Sequence, residues 1–120
     1  MRTILLVDDH PLVRRGMRAV LDGNYVICGE AEDGQQAVEM AQSLKPDLIL
    51  MDVSMPRMSG LEATREIRAL LPKTKILILS MHDSTQILQS AKNAGADGAI
   101  NKTASASEVV SAIDKLLGAS

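Results

Sequence analysis

The sequence predicts an α/β fold, a doubly wound sheet of five parallel strands with five helices. Three observations support this prediction. Four-residue apolar runs at 4–7, 48–51 and 76–79 are too short for helices and are typical of strands buried on both faces. The segments between them place apolar residues at helical spacing. The connections are short, and right-handed crossovers then leave little besides a parallel sheet with helices on both faces.

The elements follow in order along the chain. The predicted strands are residues 3–8, 25–30, 48–51, 75–80 and 97–101. Helices fill the intervals, and residues suited to a helix start mark their beginnings: Pro11, Asp33 with Gln36, Ser59 with Glu62, Asp83 with Gln86, and Ser105 with Glu108. The predicted inward positions are Leu12, Val13, Met17, Val20 and Leu21 in the first helix, Ala37, Val38, Ala41 and Leu44 in the second, Ile87, Leu88, Ala91 and Ala94 in the fourth, and Val109, Val110, Ile113, Leu116 and Leu117 in the fifth. Gly95 marks the end of the fourth helix, and the third extends to about Leu71.

The bulk composition limits the functional classes. A chain of 120 residues suits one domain, which we place at residues 1–117, with 118–120 as a tail or the start of a linker. One Tyr and no Phe or Trp imply an aliphatic core without stacking platforms for bases. A net charge of −2 and the absence of a basic run argue against direct nucleic-acid contact by this segment.

The expected location is the cytoplasm. The single Cys28 cannot form an internal disulfide, and its apolar neighbours suggest a buried small side chain in a reducing compartment. No segment has the layout of a signal peptide or the length of a membrane span.

Polar residues occupy four of the predicted strand ends. They are Asp8 and Asp9 after the first strand, Asp52 after the third, Ser80 at the fourth and Lys102 after the fifth. Parallel strands bring their carboxyl ends to one edge of the sheet, so these side chains should share a crevice. Three carboxylates there repel one another unless a cation lies among them, and an all-oxygen ligand set favours Mg²⁺.

This set of residues suits formation of an aspartyl-phosphate. Asp52 is the candidate nucleophile, and Asp9 and Asp52 can hold Mg²⁺. Lys102 supplies a second cation for the phosphoryl oxygens, and the Ser80 hydroxyl can donate a hydrogen bond to one of them.

The sequence resembles the receiver domain of bacterial two-component response regulators. The motifs that carry the resemblance are Val7-Asp8-Asp9-His10, Asp52-Val53-Ser54-Met55-Pro56 with Gly60, Leu79-Ser80 and Ile100-Asn101-Lys102. Two longer stretches resemble the NarL/FixJ subfamily specifically: Asp8-Asp9-His10-Pro11-Leu12-Val13-Arg14 and Ser80-Met81-His82-Asp83.

The resemblance implies a flavodoxin-like fold with strand order 2-1-3-4-5 and phosphoryl transfer from a histidine kinase to Asp52. It implies Mg²⁺ bound by Asp9, Asp52 and the backbone carbonyl of Ser54, with Asp8 acting through water. It also implies a switch rather than an enzyme with an external substrate. In the full-length protein, a helix-turn-helix DNA-binding domain would follow and give transcriptional control, with pairing to a partner domain or a second copy.

The chain departs from the family pattern at two positions. Ala99 stands where most receivers have an aromatic residue three positions before the lysine, and Thr103 stands where many have proline. Two alternatives remain open: a Mg²⁺-dependent phosphohydrolase with an Asp52 intermediate, and a degenerate receiver that acts as a docking module. His10 and His82 are each isolated in the sequence and are expected at the surface beside the crevice.

Overall fold

A computed structural model describes residues 2–53, 55, 58–81 and 85–118 of the chain. The strands are β1 (Thr3–Val7), β2 (Val26–Ala31), β3 (Leu48–Asp52), β4 (Lys75–Ser80) and β5 (Gly98–Asn101). The helices are α1 (Pro11–Leu21), α2 (Gly34–Leu44), α3 (Gly60–Leu70), α4 (Thr85–Ala94) and α5 (Ala106–Leu117). The strands form one parallel sheet in the order β2-β1-β3-β4-β5, which confirms the predicted fold and strand order.

The sheet separates two apolar clusters, and both are aliphatic as predicted. Alternate residues of β3 point to opposite faces: Leu48 and Leu50 pack with α1 and α5, whereas Ile49 and Met51 pack with α2, α3 and α4. All four of these side chains are at most 1% exposed. Burial on both faces explains why the run is continuously apolar rather than alternating.

Side chains cap three of the helices at the predicted residues. Asp33, Ser59 and Ser105 each accept a hydrogen bond from the backbone N–H three residues later, and Ser105 with Glu108 forms a full capping box. The Gln36 side chain accepts a hydrogen bond from the Glu32 N–H rather than from that of Asp33. The predicted cap at Asp83 lies outside the described residues.

Three predicted inward positions are wrong. Leu12 is 75% exposed and Leu88 is 46% exposed. Each is rotated by about 100° from the buried stripe of its helix, since a helix turns once in 3.6 residues. Leu44 is 41% exposed because it ends α2, where only part of its side chain lies over Gly29. Among the helices within the described ranges, none is long and apolar enough to span a membrane.

Candidate functional site

The parallel register brings the predicted polar residues to the carboxyl edge of the sheet. Asp8 directly follows β1, and Val7 pairs with Met51, next to Asp52. Ser80 ends β4 and pairs with Asn101, next to Lys102. The Lys102 N–H also donates to the Ser80 carbonyl oxygen at 2.8 Å. Residues separated by up to 94 positions therefore meet at one edge, as the sequence predicts.

Lys102 joins two buried carboxylates. Its Nζ lies 3.0 Å from Asp8 Oδ2 and 3.0 Å from Asp52 Oδ1. Asp8 is 3% exposed and Asp52 is 2% exposed. Burial alone lowers the pKa of Lys102, but hydrogen bonds and charge attraction from Asp52 and Asp8 outweigh it, so the pKa lies above its ordinary value. Lys102 therefore stays protonated and compensates part of the negative charge.

The acidic cluster fits a divalent cation. One potential ligand atom from each of Asp8, Asp9, His10 and Asp52 lies within 4.8 Å of the others. Asp8 Oδ2 and Asp9 Oδ1 are both buried, and they lie about 3.0 Å from Lys102 Nζ and His10 Nδ1 respectively. Lys102 is one cation facing the three carboxylates of Asp8, Asp9 and Asp52, which leaves negative charge for a metal ion to offset. An oxygen-rich pocket of this kind suits Mg²⁺.

His10 lies closer to the cluster than the sequence indicates. Its Nδ1 is 3.2 Å from Asp8 Oδ1 and 3.0 Å from Asp9 Oδ1, while its side chain is 65% exposed. The expected surface position beside the crevice is confirmed, but His10 is not isolated. Its position two residues after Asp8, in a turn where the His10 N–H donates to Asp8 Oδ1 at 2.9 Å, brings the ring back over the carboxylates.

Two further predicted positions lie outside the described residues. Ser54, whose carbonyl is the expected third metal ligand, is one of them, and His82 is the other. Ser80 is described at the carboxyl end of β4 and is 4% exposed.

Gly60 fixes the segment that carries Asp52. A Cβ atom at Gly60 would lie 1.9 Å from the Asp52 carbonyl oxygen, far inside van der Waals contact. The Gly60 N–H donates to the Val53 carbonyl oxygen at 2.9 Å, and the Val53 N–H donates to Leu79 at 3.1 Å. Only glycine permits α3 to begin this close to the end of β3.

Arg14, in α1, contacts the backbone of Asp8, and the sequence analysis assigned it no role. One of its terminal nitrogens donates to the Asp8 carbonyl oxygen, and its Nε donates to Glu30 Oε1 at 2.9 Å. Arg18 also pairs with Glu30, at 2.7 Å. The hydrogen bond from Arg18, with a further one from Arg14, holds the pKa of Glu30 below its ordinary value. The only sequence signal was the place of Arg14 in the motif that resembles the NarL/FixJ subfamily.

Ala99 packs against the apolar core cluster on the side of the sheet that α4 covers. A small cavity of about 30 Å³ lies between β5 and α4, and its lining includes Ala99, Leu88 and Ala91.

A separate cavity of about 540 Å³ lies at the opposite, amino edge of the sheet and shares no residue with the acidic cluster. This larger cavity therefore plays no part in the chemistry at the carboxyl edge.

Comparison with known proteins identifies the family. The family model described as the response regulator receiver domain matches residues 4–114. The chain belongs to this family. The match confirms the resemblance seen in the motifs and makes the chain a phosphorylation-activated switch domain of a two-component signalling protein.

Individual relatives of this receiver agree with the subfamily assignment. The response regulator UvrY of Escherichia coli K12 is 43% identical over 115 residues, which are 94% of this chain and 53% of UvrY. A LuxR-family response regulator from Aurantimonas sp. SI85-9A1 has a TM-score of 0.94 and 37% identity, covering 98% of this chain and 86% of that one.

A NarL signal receiver domain from Mycobacterium tuberculosis has a TM-score of 0.91 and 34% identity, covering 99% and 98% of the two chains. The receiver spans about half the length of the curated relatives that it matches.

Proposed function

We propose that Asp52 is the phosphoacceptor of this receiver and that a histidine kinase supplies the phosphoryl group. The observation that carries the proposal is the position of Lys102 Nζ, at 3.0 Å from both Asp8 and Asp52. A protonated amine next to the candidate nucleophile is suited to hold the phosphoryl oxygens as charge develops on them.

The proposed transfer is a displacement at phosphorus. An Asp52 carboxylate oxygen forms a bond to the phosphorus atom while the bond from phosphorus to the kinase histidine nitrogen breaks, and the leaving imidazole keeps the bonding electron pair. Lys102 Nζ then exchanges part of its contact with Asp52 for the phosphoryl oxygens. The Ser80 hydroxyl, at the end of the neighbouring strand, donates to another phosphoryl oxygen.

The carboxylates of Asp9 and Asp52 and the carbonyl of Ser54 would hold Mg²⁺, and the Asp8 carboxylate would reach the ion through water. The ion supplies charge neutralisation, which lets an anionic phosphoryl group approach an anionic nucleophile. Asp8 is held by Lys102 on one side and by Arg14 through its backbone carbonyl on the other. Both contacts keep its carboxylate aimed at the crevice before a metal binds.

The full-length protein is proposed to be a cytoplasmic transcriptional regulator. Longer relatives, whose matched regions are 55% and 51% of their own length, are named as transcriptional regulatory proteins, and a LuxR-family regulator shares the fold. We place the receiver unit at residues 1–117, with 118–120 leading towards a helix-turn-helix DNA-binding domain. Phosphorylation would change how the receiver pairs with that domain or with a second copy.

Phosphorylation with a small donor tests the assignment of Asp52. The receiver is incubated with Mg²⁺ and acetyl phosphate, and its intact mass is followed over time. We expect a labile gain of one phosphoryl group that is lost in Asp52→Asn and retained in Asp114→Asn, a control carboxylate on α5.

The other outcomes of this experiment identify the alternatives. An adduct that persists in Asp52→Asn would refute the assignment. Release of many equivalents of inorganic phosphate would identify a phosphohydrolase. A receiver that forms no adduct at all would be the docking module.

A further inference from the structure

We propose that the cavity at the amino edge of the sheet binds a small amphipathic anion, a ligand with an apolar body and an acidic group. The cavity measures about 540 Å³, within the range of roughly 300–1,000 Å³ that is typical of small-molecule sites. The proposal goes beyond phosphorylation of Asp52 and does not depend on it, because the cavity shares no residue with the acidic cluster.

The inner lining of the cavity is mostly apolar. Leu70 ends α3, and Leu116 and Leu117 end α5. Pro46 and Thr74, which lie before β3 and β4, are buried, and the Thr74 hydroxyl donates to the Pro46 carbonyl oxygen at 3.1 Å. Leu117 is also buried, whereas Leu70 is 51% exposed. The lining therefore offers a ligand apolar contact that begins at the surface and continues inward.

The same lining carries a positive charge that the chain as a whole does not have. Four cations and one carboxylate give it a formal charge of +3, whereas the whole chain carries −2. The charged residues are Arg2, Lys45, Lys73, Lys75 and Asp47. Lys45 and Lys73 are exposed, and neither forms an ion pair with any residue that the structure describes. Their ammonium groups are available to an acidic group on a ligand.

The negative groups of the lining already have partners. A helix carboxyl end disfavours a nearby anion when its carbonyl groups are free. At the end of α5, however, the Leu117 carbonyl oxygen accepts a hydrogen bond from the Arg2 guanidinium at 3.1 Å. Asp47 Oδ2 accepts from the Thr3 N–H at 2.8 Å. An entering anion would therefore meet the exposed lysines rather than unpaired acceptors.

Charge and shape favour a small ligand over a second copy of the chain. Two copies meeting at this face would bring like charges together, which costs free energy. A solvated rim of lysines is the simplest alternative interpretation, and it predicts attraction of any anion by charge alone. The apolar lining predicts instead that tight binding needs both the charge and an apolar body.

Two fluorescent probes with the same aromatic rings separate these contributions. Anilinonaphthalene sulfonate carries an acidic group, phenylnaphthylamine lacks it, and both become brighter in an apolar site. Dissociation constants are measured by fluorescence titration at neutral pH on the wild-type receiver, on the double variant Lys45→Gln with Lys73→Gln, and on Leu70→Gln.

Matched controls come from α4, outside the cavity. Lys92→Gln removes an exposed lysine, and Leu88→Gln removes a leucine that is 46% exposed, close to the 51% of Leu70. Since all the substituted side chains are at least partly exposed, we expect every variant to fold. Labelling by acetyl phosphate should proceed at the wild-type rate in the double lysine variant, so a failed binding test leaves the assignment of Asp52 intact.

We expect the wild type to bind one sulfonate probe, and to bind it more tightly than phenylnaphthylamine. The double lysine variant should weaken sulfonate binding roughly threefold or more and leave phenylnaphthylamine binding unchanged, because exposed ion pairs contribute modestly. Leu70→Gln should weaken binding of both probes, and the two control variants of neither. In NMR spectra, the amide signals of Thr74 and Leu117 should shift on saturation with the sulfonate.

Other results would overturn the proposal. Sulfonate binding that is unchanged in the double lysine variant, or weakened equally by Lys92→Gln, would do so. Amide shifts confined to the carboxyl edge would place the probe elsewhere and have the same effect. Tighter binding of an oligoglutamate peptide than of the sulfonate probe would assign this face to an acidic protein segment and refute the small-ligand site.

Discussion

Replacing Gly60 with alanine tests whether the start of α3 positions the phosphoacceptor. The added Cβ would lie 1.9 Å from the Asp52 carbonyl oxygen and 2.9 Å from Val53 Cα. An ordinary contact begins at 3.4 Å, so the backbone would have to separate by 3.4 − 1.9 = 1.5 Å. Neither neighbouring atom belongs to a flexible side chain. Overpacking of this kind costs about 3 kcal/mol.

Gly16→Ala is the matched control. Gly16 lies in the exposed face of α1, where an added Cβ would meet nothing within 4 Å. Alanine in a helix interior is favoured over glycine by about 0.5–1 kcal/mol, so this substitution should stabilise the receiver. The two glycine-to-alanine changes therefore have opposite expected signs, and the difference arises from the close approach at Gly60.

Thermal and denaturant unfolding give the magnitudes. For a chain of 120 residues the entropy of unfolding is roughly 0.25 kcal/mol/K, so 1 kcal/mol corresponds to about 4 °C in Tm. We expect Gly60→Ala to lower Tm by about 12 °C and Gly16→Ala to raise it by about 2–4 °C. Labelling with acetyl phosphate should slow at least tenfold in Gly60→Ala only, because Asp52 moves with the β3–α3 connection. Equal stability of the two variants would refute the reasoning.

Three further predictions concern the charged groups of the acidic cluster and Glu30, which pairs with Arg14 beside it. Glu30→Gln should destabilise the receiver by about 1 kcal/mol at neutral pH. Because the folded-state pKa of Glu30 is depressed, this difference should be constant above the ordinary value of 4.5, should decline below it, and should vanish once pH has fallen through the lower folded-state pKa, as measured by urea unfolding across pH. Lys102→Met should cost about 3 kcal/mol in metal-free buffer because it leaves Asp8 and Asp52 buried without their counter-charge, and Mg²⁺ should recover part of the loss. An equal deficit with and without Mg²⁺ would contradict a shared pocket. For the wild type, Mg²⁺ at ten times its Kd should add about 1.4 kcal/mol of stability, and an unchanged melting midpoint would rule out metal binding to the folded state.

Local sequence signals predicted the secondary structure closely because they act over a few residues. Ser105 with Glu108 satisfies the free N–H groups of α5 whatever the rest of the chain does, and the capping box forms as expected. The same kind of signal placed Leu12 and Leu88 inward, and this was wrong. A leucine at the margin of an apolar stripe is buried only if a neighbouring element covers it, and helical spacing alone does not contain that information.

The candidate site shows the same division. The sequence predicted the meeting of Asp8, Asp52 and Lys102, because the carboxyl ends of parallel strands must share one edge. It did not predict the contact of His10 with the acidic pair, which depends on the conformation of a turn. Nor did it predict the bond from Arg14 to the Asp8 carbonyl, which depends on how α1 packs across β2.

By itself, the sequence determined the layer order of this receiver and the edge of the sheet at which its charges gather. These follow from alternation of buried strands with amphipathic helices and from the handedness of the crossovers. Only the tertiary structure decided which of the gathered groups touch. The close approach at Gly60, where a Cβ atom would lie 1.9 Å from the Asp52 carbonyl oxygen, and the 3.0 Å contact between Lys102 and Asp52 depend on shifts of an ångström, and packing of distant elements sets such shifts.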